Sequence, residues 1–200
     1  MSKYFYPGTN VLINLPGIRD PDKLNQFERV HTYLRLVELQ HNPIKGKFDF
    51  DHLKEIHRYI FQDVYPFAGQ IRDENIAKDY FTFAPYPFIE KEANRLFDSL
   101  KDENFLSGLE IDPFSQRSAY YMAELNVLHP FREGNGRTIR EFIRQLAYEA
   151  GYSLDWRKRD YREIFQASVR SKTDTKELAQ VIRSCLTDLR QLDREIDRER

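Results

Sequence analysis

A short segment in the middle of the chain contains the residue types that a polyphosphate site needs. Gly134 and Gly136 lack a Cβ atom, so the backbone can turn tightly there and approach a ligand. Consecutive backbone N–H groups in such a turn form a concavity that binds anions. An α-helix is predicted to begin in the same segment, and its positive end favours negative charge. The segment is therefore predicted to form an anion-binding loop.

The charged side chains of this segment suit the same chemistry. Arg137 and Arg140 carry planar guanidinium groups that match phosphate oxygens. Glu133 is an oxygen ligand of the kind that Mg²⁺ prefers, and His129 carries an imidazole, the side chain commonly used to accept a proton from an attacking hydroxyl. These residues together predict a polyphosphate site with a candidate base. A polar surface turn between two helices is the alternative for any one of them considered alone.

Helices predicted on both sides of the segment would position it. Apolar spacing and capping signals predict helices over residues 21–40, 51–64, 87–104, 112–127 and 136–150, and a last helix with an apolar stripe from Leu178 to Leu189. Asp20 is predicted to cap the first helix, and Pro21 takes its first position. His57 lies near the apolar stripe of its helix, which favours a core histidine with satisfied hydrogen bonds over a ligand.

Residues 71–86 do not have helical spacing. The run Tyr80-Phe81-Thr82-Phe83 is rich in strand-forming residues and lies between polar turns and Pro85. These features favour a short β-hairpin. An irregular aromatic loop stays equally compatible with the spacing.

Composition indicates a globular protein with one core. Of the 200 residues, 40% are hydrophobic and 14% are aromatic, which predicts a single domain over residues 1–192 and a charged tail over residues 193–200. The net charge of −1 gives no basic footprint, so no nucleic-acid partner is expected. Cys185 is the only cysteine, so no disulfide framework exists. Neither a signal peptide nor an apolar run of membrane-spanning length is visible, so a cytoplasmic protein without a membrane partner is expected.

The segment from His129 to Arg140 resembles the signature of the Fic family. In that signature a His, a Phe, an acid, Gly-Asn-Gly-Arg and a second Arg recur at these spacings. Residues 6–12 are similar to the start of stand-alone bacterial Fic toxins and secreted effectors, and residues 57–72 resemble the family's helix and turn ahead of its hairpin. The resemblance covers the chain up to about Leu192.

This resemblance implies a mostly α-helical bundle with a small β-hairpin, called the flap, near the active site. It implies a transfer of AMP from ATP, with Mg²⁺, to a Ser, Thr or Tyr hydroxyl of a target protein. His129 would be the general base, Glu133 the Mg²⁺ ligand, and Phe131 a core residue beneath the loop. The remaining signature residues would bind the nucleotide phosphates: Gly134, Asn135, Gly136, Arg137 and Arg140.

The resemblance also bears on partners. The target is expected to dock on the flap residues Tyr80, Phe81, Thr82 and Phe83, where an extended segment can add a strand. Many relatives carry an inhibitory pattern of Ser/Thr, three residues, Glu and Gly/Asn, whose glutamate pairs with the residue equivalent to Arg140. The full match at residues 99–104, which contains Glu103, lies where the family does not place this pattern and is interpreted as a coincidence. Inhibition in trans by a small antitoxin is therefore expected, and an effector role would place the chain in another cell's cytoplasm.

Two alternatives to AMP transfer are open. One is a Fic-fold transferase with another donor chemistry, which moves UMP, phosphocholine or a terminal phosphate; Gly136 argues against the last of these, because the kinase branch departs from the pattern there. The other is a non-catalytic module that binds a nucleotide or a protein. Intact His129 and Glu133 argue against that module, which has no evident need for a base.

Overall fold

A computed structural model describes residues 2–78 and 81–189 of the chain. The described part is mainly helical, which confirms the predicted fold class. Its α-helices are α1 (Pro21–His41), α2 (Phe50–Phe61), α3 (Ile89–Asp102), α4 (Ile111–Leu128), α5 (Asn135–Glu149), α6 (Tyr161–Arg170) and α7 (Lys176–Cys185). None of the helices described is both long and apolar enough to cross a membrane.

Two antiparallel ribbons accompany the helices in the described residues. Strand β1 (Ala77–Lys78) pairs with β2 (Phe81–Thr82), with Ala77 opposite Thr82, and this ribbon is the predicted hairpin. Strand β3 (Tyr152–Leu154) pairs with β4 (Leu186–Asp188), which was not predicted. The prediction that the last helix continues to Leu189 is wrong, since the backbone after Cys185 pairs with β3 instead.

The chain divides into two compact units. The first comprises Met1–Glu90 and His129–Thr138, and the second comprises Lys91–Leu128 and Ile139–Arg200. Helix α5 begins in the first unit and continues in the second. The predicted single domain over residues 1–192 stays a prediction, and the predicted charged tail lies outside the described residues.

In the first unit, α1 packs against α2. Asp20 caps α1 as predicted, because its Oδ1 accepts hydrogen bonds from the backbone N–H groups of Asp22 and Lys23, each at 3.0 Å. One side of α2 is apolar and buried, and it carries Phe50, His52, Leu53, Ile56, His57, Ile60 and Phe61. This side of α2 supplies the floor on which the signature loop rests.

In the second unit, α6 and α4 each pack against α7. Helix α6 has no counterpart among the predicted helices, because it has only 10 residues and follows an irregular segment. Two capping signals mark its start in the sequence. Asp160 Oδ1 accepts from the N–H of Arg162 at 2.7 Å, and Glu163 follows three residues after Asp160.

Candidate active site

The signature loop occupies residues 129–134, between the end of α4 and the start of α5. His129 has a φ of 48°, in the left-handed region that few residues other than glycine adopt. The residue is partly exposed to solvent. The loop ends at Gly134, whose carbonyl accepts the first helical hydrogen bond of α5 from the N–H of Thr138 at 3.2 Å. The candidate base and the positive end of α5 therefore belong to one short loop.

Gly134 lies closer to α2 than any other residue type could. Its φ is 81°, and a Cβ added to it would lie 2.1 Å from Cζ of Phe61. Phe61 is fully buried, so its ring has no room to move away. The glycine is therefore required both by the left-handed backbone and by the contact with Phe61.

Asn135 closes the loop from within. Its Oδ1 accepts from the N–H of Phe131 at 2.9 Å, and its Nδ2 donates to the carbonyl oxygen of Phe131 at 2.8 Å. Both polar atoms of the amide are thus used, and the residue is only 2% exposed. The side chain of Asn135 therefore holds the loop together, and the predicted part of residue 135 in phosphate binding stays a prediction. Its backbone N–H, in the first turn of α5, can still face an anion.

His57 supports the loop from α2. Its Nδ1 accepts from the N–H of Gly69 at 2.8 Å, so Nε2 carries the proton and donates to the carbonyl oxygen of Glu133 at 2.9 Å. The imidazole is stacked on Phe131, with ring centroids 3.9 Å apart. Burial lowers the pKa of His57 to about 3, so the ring is neutral at physiological pH. The predictions of a satisfied core histidine and of a buried Phe131 are both confirmed.

Glu133 lies at the mouth of the loop, and 43% of its side chain is exposed. Its Oε1 accepts from the N–H of Gly134 at 2.9 Å and lies 3.7 Å from a guanidinium nitrogen of Arg137. The carboxylate thus stands at the positive end of α5 and is open to solvent. A divalent cation placed there would meet a hard oxygen ligand.

Arg137 is held by α1. One terminal nitrogen donates to Oε1 of Glu28 at 2.6 Å, and the other donates to Oγ1 of Thr32 at 3.2 Å. The Glu28 side chain is 13% exposed, and its second oxygen accepts from the hydroxyl of Tyr65. Burial and the Glu28 charge raise the pKa of Tyr65, which keeps its proton. The predicted contact of Arg137 with polyphosphate stays a prediction, and any such contact would be made by a guanidinium already oriented by Glu28.

Arg140 follows Arg137 by about one turn on α5 and belongs to the second unit. Its guanidinium lies over the ring of Tyr161, 5.5 Å from the centroid. Its carbonyl oxygen accepts from the indole N–H of Trp156 at 3.2 Å. The role predicted for Arg140 stays a prediction.

The hairpin residues differ in exposure. Thr82 is exposed, Phe81 is half-buried, and Tyr80 lies outside the described residues. Phe83, at the end of β2, is 8% exposed, and its ring is stacked on the imidazole of His129 with centroids 3.8 Å apart. The side chain of Phe83 therefore faces the candidate base, and the docking role predicted for the hairpin residues stays a prediction.

Four residues near the loop were not singled out from the sequence: Glu28, Thr32, Tyr65 and Arg72. Glu28 and Thr32 interrupt the buried side of α1, which otherwise carries leucines, and polar residues at that spacing were the available signal. Arg72 lies in the segment that resembles the family ahead of the hairpin, but its partners are far away in the sequence. No local pattern indicates those contacts.

Comparison with known proteins places this loop in a family. The family model described as "Fic/DOC family" matches residues 47–147. The chain is 48% identical over 186 residues to the protein adenylyltransferase VbhT of Bartonella schoenbuchensis, an alignment of 92% of this chain and 39% of VbhT. It is 41% identical over 154 residues to the probable protein adenylyltransferase Fic of Escherichia coli, which covers 76% of each chain. This chain thus spans well under half of VbhT but most of the Escherichia coli protein.

A solved structure of similar fold points to the same family as the sequence relatives. The crystal structure of the effector protein BepC of Bartonella tribocorum, with bound AMPPNP, superposes with a TM-score of 0.87. It is 27% identical and covers 92% of this chain and 96% of that one. The signature from His129 to Arg140, the helical architecture and these matches lead to one conclusion: the chain belongs to the Fic/DOC family.

Proposed function

We propose that this chain is a protein adenylyltransferase that moves AMP from ATP to a Ser, Thr or Tyr hydroxyl of a target protein. The observation that carries the proposal is the loop at residues 129–134. The loop contains His129 and leads directly into the positive end of α5, where Oε1 of Glu133 accepts from the N–H of Gly134. VbhT is a protein adenylyltransferase, the Escherichia coli Fic protein is a probable one, and BepC binds an ATP analogue; these similarities support AMP and ATP over other donors.

The proposed reaction assigns one role to each part of the loop. His129 accepts the proton of the target hydroxyl while the hydroxyl oxygen bonds to the α-phosphorus of ATP. The bond between that phosphorus and the oxygen bridging to the β-phosphate breaks, and pyrophosphate leaves. The first N–H groups of α5, at Asn135 and Gly136, face the phosphate oxygens, and Arg140 contacts the outer phosphates. Donors fixed before the reaction stabilise the charge that develops in it.

Mg²⁺ is the proposed companion of ATP. The described residues contain no group of three or more His, Cys, Asp or Glu side chains arranged to hold a metal ion. The exposed Glu133 carboxylate therefore suits an ion that takes one protein ligand and completes its shell with phosphate oxygens and water, as Mg²⁺ commonly does. When bound, Mg²⁺ would neutralise charge on the phosphates and the leaving group.

Replacing Glu133 with glutamine should raise the Mg²⁺ concentration needed for half-maximal transfer. The amide still accepts from the N–H of Gly134 but loses the charge that attracts the cation. We expect a rise of roughly 10-fold or more, because loss of even an outer-shell partner of a metal ion costs that much. A Mg²⁺ titration of the transfer rate measures it, with Glu149→Gln at the exposed end of α5 as the matched control. Transfer that continues in excess chelator would refute the assignment.

The activity itself is tested by mass spectrometry. The chain is incubated with Mg²⁺, a lysate and either ATP, UTP or CDP-choline, and tryptic peptides are searched for adducts on hydroxyls. The proposal requires an AMP increment from ATP. A UMP, phosphocholine or phosphoryl increment in its place would assign the chain to another Fic-type transfer, and no adduct with any donor would favour a binding module.

We also propose that the target docks on the hairpin β1–β2. The hairpin is short, Thr82 is exposed, and an extended target segment can pair with such an edge without demanding much sequence. Thr82→Pro should lower target modification by about 10-fold, the equivalent of one or two lost hydrogen bonds, and leave the Kd for ATP within about twofold. Thr82→Val, which keeps the N–H, is the control. Equal target modification by both variants would show that the target does not dock on this edge.

Inhibition in trans by a small protein that pairs a glutamate with Arg140 is the proposed control of the enzyme. Glu103, the internal candidate for that glutamate, is already engaged: its Oε2 accepts from Nε of Arg117 at 2.7 Å, and its Oε1 accepts from Arg117 and from Tyr121. These partners lower the pKa of Glu103 and hold it charged. The isolated chain should therefore transfer AMP without activation. A large rise in self-modification by Glu103→Gln would show that Glu103 inhibits the enzyme from within the chain.

The site of action is proposed to be a cytoplasm, either of the producing bacterium or of a cell that receives the chain. Support comes from BepC, which is described as a VirB-translocated effector protein, and from the bacterial relatives. Fractionation of producing and recipient cells with a tagged chain distinguishes the two.

A further inference from the structure

The hairpin touches the candidate base through one aromatic ring. The rings of Phe83 and His129 are 3.8 Å apart between centroids and inclined by 22°, so their faces are in contact. The N–H of Phe83 donates to the carbonyl oxygen of Ile76 at 3.2 Å, which ties the end of β2 to the start of β1. The ring that covers His129 is therefore fixed by the hairpin itself.

A buried arginine connects the same two parts through the backbone. Arg72 is 1% exposed, and its Nε donates to the carbonyl oxygen of His129 at 2.8 Å. Its terminal nitrogens donate to the carbonyl oxygens of Glu74 at 2.8 Å and Ala84 at 2.6 Å, one on each side of the hairpin. The N–H of Arg72 donates to the carbonyl oxygen of Pro130 at 2.9 Å. The Arg72 side chain thus connects the segments on both sides of the hairpin to the backbone of His129.

His129 depends on such support. Its left-handed backbone, with a φ of 48°, is costly for a residue with a Cβ and persists only where surrounding contacts hold it. Arg72 holds its carbonyl, and Phe83 limits the rotation of its ring about the side-chain bonds. A catalytic group that moves by as little as about 1 Å can lose roughly 100-fold in rate.

We infer that Phe83 and Arg72 are positioning residues for His129, so that the hairpin that receives the target also orients the base. The inference rests on the proposed function, in which His129 is the base. In this arrangement the ring of Phe83 orients the base, and the edge of β2 pairs with the target segment. A target segment that stiffens the hairpin on docking would then also fix the imidazole in its reactive orientation.

The test replaces the ring and leaves the hairpin edge unchanged. Phe83→Leu should lower kcat by about 100-fold, with the Kd for ATP and the KM for the target within about twofold of the parent. Phe83→Tyr, which keeps the ring, should restore kcat to within about threefold. Phe88→Leu, the same change at an exposed phenylalanine just past the hairpin, is the control and should behave as the parent.

A spectroscopic measurement makes the result independent of activity. The ring current of Phe83 shifts the proton resonances of the His129 imidazole upfield, so these resonances should move downfield in Phe83→Leu and not in Phe88→Leu. Phe83→Met serves as a second variant if Phe83→Leu unfolds, and thermal unfolding checks both. If both variants unfold, the imidazole resonances of His129 are measured in Phe83→Tyr. Chemical shifts equal to those of the parent support the stack, and chemical shifts of a free histidine overturn it.

The two proposals fail in different ways. If His129→Asn keeps near-parental transfer, the base assignment falls whatever Phe83 does. If His129→Asn is inactive and Phe83→Leu keeps a near-parental kcat, the positioning role of Phe83 is overturned and the proposed function stands.

Discussion

Replacing His129 with asparagine is expected to lower the rate of AMP transfer by about 10²–10⁴-fold, the usual cost of losing a general base. Asparagine tolerates the left-handed backbone that residue 129 adopts, so the loop should keep its shape. It offers no group that can accept the proton of the target hydroxyl near neutral pH. The loss should therefore appear in kcat, with the Kd for ATP close to that of the parent.

The measurement is the rate of adduct formation followed by intact mass, with ATP binding followed by calorimetry. His41→Asn, at the exposed end of α1, is the matched control and should be fully active. A His129→Asn enzyme that loses ATP binding and transfer together would show that the residue shapes the loop. Near-parental transfer would show that another group removes the proton.

The largest expected loss of stability follows from adding one methyl group at Gly134. Gly134→Ala must adopt a left-handed backbone, which costs about 1–2 kcal/mol, and must displace the buried ring of Phe61, which adds about 1–3 kcal/mol. The free energy of unfolding should fall by the sum of the two. Transfer should fall as well, because the shift occurs between Glu133 and the first turn of α5.

Another glycine separates the two contributions. Gly108 has the same φ of 81° as Gly134, but an added Cβ would meet nothing within 4 Å. Gly108→Ala should therefore show the backbone cost alone. In a Phe61→Leu background, which lacks the clashing ring atoms, the cost of Gly134→Ala should fall toward that of Gly108→Ala. Equal costs in both backgrounds, measured by denaturant unfolding, would rule out the contact with Phe61 as the cause.

The parts of the site that could be predicted are those whose information is local. The residues from His129 to Arg140 are contiguous, so their chemistry and the start of α5 can be read together. Apolar spacing and capping signals predict helices α1 to α5, and strand-forming aromatic residues predict the hairpin. Asp20 was placed correctly for the same reason, since capping follows from immediate neighbours, whereas the burial of Phe131 was implied by the family resemblance.

The parts that could not be predicted depend on contacts between distant residues. Arg137 and Glu28 are separated by 109 positions, and Arg72 and His129 by 57. Both pairs decide how the loop is held, yet neither leaves a periodic pattern. The pairing of β3 with β4 likewise ended α7 early, against an apolar stripe that would have continued the helix. Sequence spacing thus indicates which groups are present, and tertiary contacts determine which of them are already engaged.

The hydrogen bonds of the Asn135 amide also determine when this residue can deamidate. An asparagine followed by glycine deamidates readily in flexible chains, because the next backbone nitrogen can attack the side-chain carbonyl. In the folded chain both polar atoms of this amide are bound to the backbone of Phe131, and Gly136 is fixed within α5. That attack is therefore blocked for as long as the loop is folded. Isoaspartate at position 135 would accumulate only in molecules that have opened, so its content in a stored preparation records the time spent unfolded.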